Sequence, residues 1–116
     1  MAFRFEDLQV WQRALDLGEQ INQLTKDFPK DEVYVLTSQI KRAADSVVLN
    51  IAEGSTGQSK SVYKVFLSYS LRSAIEVVSC LFIAKKRGYV TDGRFSELYG
   101  EYEILVKMIT ALKNSF

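Results

Sequence analysis

Histidine is absent from the 116 residues, and cysteine, proline and tryptophan occur once each. Each scarcity excludes something. Without histidine the commonest general base and metal ligand is missing. With Cys80 as the only thiol, neither a Cys-His dyad nor a Ser-His-Asp triad can be assembled. Zinc sites draw on several Cys or His, so only a carboxylate cluster could hold a metal. Glu53, Glu76, Glu97, Glu101 and Glu103 lie on predicted helices but form no Glu-x-x-His pattern of a di-iron bundle. Cys80 has no partner for an internal disulfide, and nothing argues for export. Its neighbours Val77, Val78, Leu81 and Phe82 make a buried, unreactive thiol the default. Gly54-Ser55-Thr56-Gly57 is too short for a phosphate loop and lacks its lysine. No apolar run approaches the roughly 18 residues of a membrane span, and the first residues lack the features of a signal peptide. A large positive excess is also missing, since the net charge is +1 and the pI about 7.8. That balance argues mildly against a protein gripping phosphates over its whole surface, though it leaves a local patch open. The expectation is a cytoplasmic, non-enzymatic protein without cofactor, metal, membrane segment or small-molecule substrate.

What is present is an ordinary globular composition, 47% hydrophobic and 25% charged, in a chain long enough for one core. The scarcity of proline favours long helices, and periodicity marks four of them. The first is predicted from Glu6 to Lys26, with Val10, Ala14, Leu17, Ile21 and Leu24 at spacings of three and four. Trp11 and Leu15 widen that face, and Asp27-Phe28-Pro29-Lys30 stops the helix. The second runs from an Asp31 cap to Glu53, with Val33, Leu36, Thr37, Ile40, Ala44, Val47 and Ile51 inward and Gly54 as the residue beyond its end. The third spans Ser59 to Arg87, with Val62, Phe66, Ala74, Val77, Leu81 and Ala84 as its core set and Gly88 as stop. The fourth runs from an Asp92 cap to Ser115 on Phe95, Leu98, Tyr102, Leu105, Ile109 and Leu112. The fold class is therefore all-α, an antiparallel up-down-up-down four-helix bundle forming one domain over residues 1–116.

Helices three and four carry more apolar residues than one core needs. Leu71, Ile75 and Phe82 on the third, and Ile104, Met108 and Ala111 on the fourth, lie off the main stripes. Scattered surface apolar residues are common. Two such stripes on consecutive helices fit an interface better, and a homo-oligomer is the economical partner.

The candidate nucleic-acid-binding residues are Lys41, Arg42, Lys60, Lys64 and Arg72. They are equally readable as solvated charge with local pairs such as Arg42 with Asp45. In an oligomer, each patch would be repeated around the assembly.

Several segments, in order, point to one family. They are Phe5-Glu6-Asp7-Leu8-Gln9-Val10-Trp11-Gln12, Phe28-Pro29-Lys30-Asp31-Glu32-Val33-Tyr34, Gln39-Ile40-Lys41-Arg42-Ala43-Ala44-Asp45-Ser46-Val47 and Asn50-Ile51-Ala52-Glu53-Gly54. With Phe66-Leu67, Leu81 and Gly88-Tyr89 beyond them, the chain resembles the 23S rRNA intervening sequence proteins over essentially its whole length. The resemblance implies a four-helix bundle, assembly as a pentamer, and a connection to RNA or a nucleoprotein. A related branch, the accessory proteins of diversity-generating retroelements, binds nucleic acid and a reverse transcriptase through a basic pentameric barrel. Departures bear on that transfer. Gly57-Gln58 stands where many members have Gly-Arg, and Ser70-Leu71-Arg72-Ser73 where a Gly-Ser pair is usual. The leading expectation is an oligomeric bundle that binds RNA through basic residues; the alternative is a protein-protein adaptor or scaffold with no nucleic-acid binding.

Overall fold

The computed structural model describes residues 3–57 and 59–116, and all its regular structure is helical. A 3-10 turn, Arg4–Asp7, precedes α1 (Gln9–Thr25); a second, Lys30–Glu32, precedes α2 (Leu36–Gly54); α3 (Lys60–Lys86) and α4 (Asp92–Asn114) follow. Cross-helix pairs fix the topology. Gly54 lies against Tyr63 and Phe66, whereas Gln39, a whole helix away, bonds Glu76, so α2 and α3 run antiparallel. Arg13 pairs with Glu101 and Gln20 with Arg94, which makes α1 and α4 antiparallel. The bundle measures 43 × 23 × 23 Å, its length being that of α3 at about 1.5 Å per residue.

One continuous core runs through the four helices, from Val10, Leu17 and Ile21 to Ile40 and Ile51, Leu67 and Leu81, Leu98 and Ile109. Helix α3 is long and apolar enough to cross a membrane. Its buried side, from Tyr63 and Leu67 to Ala84, packs inside the bundle and accounts for part of that apolarity; Val65, Ile75, Phe82 and Ile83 carry the rest on the surface. Cys80 is buried as expected, and burial followed by the charge of Glu76 pushes its thiol pKa up.

Several helix ends differ from the sequence expectations. Glu6 and Asp7 belong to the separate 3-10 turn rather than to α1. Asp31 does not cap α2, which begins five residues later at Leu36. The intervening residues turn on the surface, leaving Val33 and Val35 exposed and Tyr34 94% exposed. Glu32, not Asp31, is the anchoring acid. It is buried, and its Oε2 accepts hydrogen bonds from the Tyr89 hydroxyl at 2.8 Å and Arg87 at 2.9 Å. The Leu36 N–H at the start of α2 also favours that carboxylate. Thr91, not Asp92, caps α4, accepting from the Arg94 N–H at 3.1 Å; Asp92 takes the first helical position, where negative charge suits the dipole. Ser59 caps α3 as expected, accepting from the Val62 N–H.

Gly88, with φ +79°, ends α3. The Tyr89 N–H bonds the Ala84 carbonyl and the Gly88 N–H that of Lys85, closing a Schellman motif. Gly54 is instead the last residue of α2, and its lack of a side chain serves packing. A Cβ there would stand 2.9 Å from Phe66 Cβ and from the Tyr63 ring. On α3 the buried set near that contact is Tyr63, Leu67 and Ser70, while Val62 and Phe66 are half-buried.

Candidate functional site

The five candidate cations fall into three places. At about 100° per residue, Lys41 and Arg42 diverge around α2. Lys41 lines the groove between α1 and α2 with Leu15, Glu19, Asn22, Asp45 and Leu49. Arg42 lies toward α3, one turn from Ser46, whose hydroxyl accepts a 2.9 Å hydrogen bond from Ser73. Arg72 precedes Ser73 and sits one turn from Glu76, which accepts from Gln39 at 3.4 Å. Arg42 and Arg72 therefore flank one seam, the outer face of the α2–α3 pair. Lys60 and Lys64 lie at the start of α3, with Arg72 roughly 18 Å beyond Lys60 and about 12 Å beyond Lys64 along that helix.

This seam is built from short side chains. Ser70 is fully buried there and donates to the Val47 carbonyl at 2.8 Å. Asn50 reaches both the carbonyl and the hydroxyl of Ser46 at 2.9 Å. Close approach of α2 and α3 leaves the long side chains, Arg42, Arg72 and Tyr69, projecting at its rim, all exposed. Arg42 has no ion-pair partner among the described residues, and the other four candidates have none either. By contrast Arg13, Arg87 and Arg94 each pair with a glutamate. The anticipated Arg42–Asp45 pair is not formed.

The two extra apolar stripes separate. Ile75 and Phe82 are exposed on the α4 side of α3. There Ile75, Val78, Tyr99, Tyr102 and Val106 line a groove of about 220 Å³. Phe82 packs edge-on against Phe95 at 4.8 Å, and Lys85 caps the Phe95 ring at 4.5 Å. On α4, Met108 turns the other way, into a polar groove with α1 residues Gln9, Arg13 and Gln20. Ile104 and Ala111 follow on that side; both are exposed, while Leu71 and Met108 are half-buried. The apolar face of α3 and α4 thus consists of Ile75, Phe82, Tyr99 and Val106. Tyr99 and Val106 escaped the sequence reading because their α4 positions fall between the two stripes, and only the orientation of α4 against α3 reveals their neighbours.

The carboxylates disperse rather than converge: Glu101 pairs with Arg13, Glu97 with Arg94, and Glu76 faces Gln39. Among the described residues no group of three Cys, Asp or Glu is placed to hold a metal ion. Tyr102 is buried, and its hydroxyl pKa is raised by that burial, then by the charge of Asp45.

These features define an antiparallel four-helix bundle whose exposed character is a cationic seam on one side and an apolar groove on the other. The chain belongs to the family described as 23S rRNA-intervening sequence protein, which matches residues 6–111. Its fold is also that of a crystal structure from Bacteroides thetaiotaomicron, a protein of unknown function from the S23 ribosomal protein family. That protein is 22% identical with a TM-score of 0.83, the match covering 90% of this chain and 97% of that one. No protein with a curated description matches the sequence.

Proposed function

We propose that the chain is a non-enzymatic, self-associating bundle that binds RNA or a ribonucleoprotein through the outer face of α2 and α3. The observation that carries the reading is the pair Arg42 and Arg72 flanking one seam, both exposed and, among the described residues, without an acidic partner. Guanidinium groups held this way suit phosphate oxygens, which take them bidentately. The family's tie to 23S rRNA makes RNA the natural polyanion. Self-association would repeat this seam around a ring, pentameric by the resemblance, and offset the near-neutral charge of a single copy.

Salt titration of RNA binding tests it. Each phosphate contact contributes about 0.7–0.9 to the log–log slope of affinity against salt. Arg42→Ala with Arg72→Ala should therefore lower the slope by about 1.4–1.8 and weaken binding alike across RNA sequences. A protein-protein adaptor would bind no RNA at any salt, and that result removes the proposal.

A further inference from the structure

At the end of the bundle where α2 passes into α3, the fold gathers aromatic rings and cations from distant parts of the chain. Phe3 is 62% exposed and stacks on Phe5 at 5.9 Å, and Phe5 in turn leans on Trp11 at 4.7 Å. Phe3, Arg4 and Phe5 form one wall of a groove of about 290 Å³, with Ala52, Ser55 and Thr56 opposite. On the other flank of Gly54, Tyr63 packs at a tilt against the partly exposed Phe116, ring centroids 4.8 Å apart. Arg4 is near enough to Tyr63 for its charge to favour the ionised phenol, against the stronger effect of burial. Lys60 precedes Tyr63 by one turn and Lys64 adjoins it. None of Arg4, Lys60 and Lys64 has an ion-pair partner among the described residues. The carboxylate of Glu6 is turned to the Phe3 N–H at 3.2 Å.

An exposed ring backed by further rings is a rigid platform, and cations at the same end of the bundle, Arg4 adjoining the ring and Lys60 and Lys64 on the flank by Tyr63, call for a polyanion with flat apolar faces. Single-stranded nucleic acid has both, whereas duplex hides its base faces. We propose that this end of the bundle binds single-stranded RNA, stacking a base on Phe3 while Arg4, Lys60 and Lys64 contact the flanking phosphates. This rests on the RNA reading above and assigns it a strand type and a second site, remote from the Arg42–Arg72 seam.

The test uses single-stranded RNA carrying 2-aminopurine, whose fluorescence is quenched when it stacks, with a duplex of the same sequence beside it. The full-length protein should quench the single strand and bind it more tightly than the duplex. Phe3→Ala should abolish the quenching and weaken binding roughly tenfold, while Phe3→Tyr retains both. Lys60→Ala with Lys64→Ala should lower the salt slope by roughly 1.5. Circular dichroism of each variant separates loss of the site from loss of the fold. Quenching that survives Phe3→Ala, or equal affinity for duplex, overturns this site. Binding lost in Arg42→Ala with Arg72→Ala but intact in the Phe3 and Lys60/Lys64 variants also overturns it, and leaves the seam standing. A wild type that binds neither strand overturns both.

Discussion

Glu32 shows how a single side chain organises the end of the bundle opposite that groove. The sequence reading assigned the neighbouring Asp31 as a helix cap and gave Glu32 no role, because a helix start was sought immediately after Pro29. The partners that decide the matter, Arg87 and Tyr89, lie more than fifty residues away and leave no local signal. In the fold the Tyr89 hydroxyl, foremost, and Arg87 hold the Glu32 carboxyl below its ordinary value of 4.5, although burial opposes them. Tyr89 is raised in turn, chiefly by the same hydrogen bond. A carboxyl with a depressed folded pKa contributes stability above its unfolded value, and the contribution is lost as pH falls through the folded value. Urea unfolding followed from pH 7 down through 4.5 should therefore show stability falling more gently in Glu32→Gln than in wild type. Parallel curves would show that the clasp is energetically silent.

Element by element, periodicity identified all four helices, because sixteen or more residues of amphipathic pattern outweigh any single misread position. The ends were less legible. Caps are one-residue events, and Thr91 and Asp92 compete for the same start on sequence grounds alone. The α2–α3 crossing was hardest to read, since Gly54 carries two plausible meanings. Read locally, it is a residue just past a helix; the structure shows a contact that excludes a Cβ. The distinction is measurable. Gly54→Ala gains helix propensity worth about 1 kcal/mol but drives its methyl onto Phe66 Cβ, which no change of rotamer can move away. Overpacking of this kind costs about 1–3 kcal/mol, so the net expectation is a loss of about 1 kcal/mol. Gly100, also within a helix, faces open space, and Gly100→Ala should stabilise by about 0.5–1 kcal/mol. Denaturant midpoints moving the same way for both would refute the packing account.

For the whole molecule, the sequence predicted surplus apolar surface but not its layout, because the rotation of α4 about its axis is set by contacts with two neighbours at once. That rotation puts Met108 beside α1 and brings Tyr99 and Val106 to the groove beside Ile75. A closed ring of identical chains needs two different complementary surfaces on each copy, not one self-matching patch. Two open apolar surfaces are present on separate sides: Ile75, Phe82 and Tyr99 on α3 and α4, and Leu15 with Leu49 in the α1–α2 groove. Sedimentation should accordingly show an assembly at micromolar concentration, with Ile75→Asp shifting it to monomer while leaving the helical spectrum intact, since Ile75 is 62% exposed and contributes little to the core. RNA affinity offers a second readout of the same change. Linked copies bind a long strand with avidity that separate copies lack, so Ile75→Asp should weaken binding to long RNA far more than to a short oligonucleotide. A wild type that sediments as monomer would remove the ring, and with it the means by which a nearly neutral chain could hold a polyanion firmly.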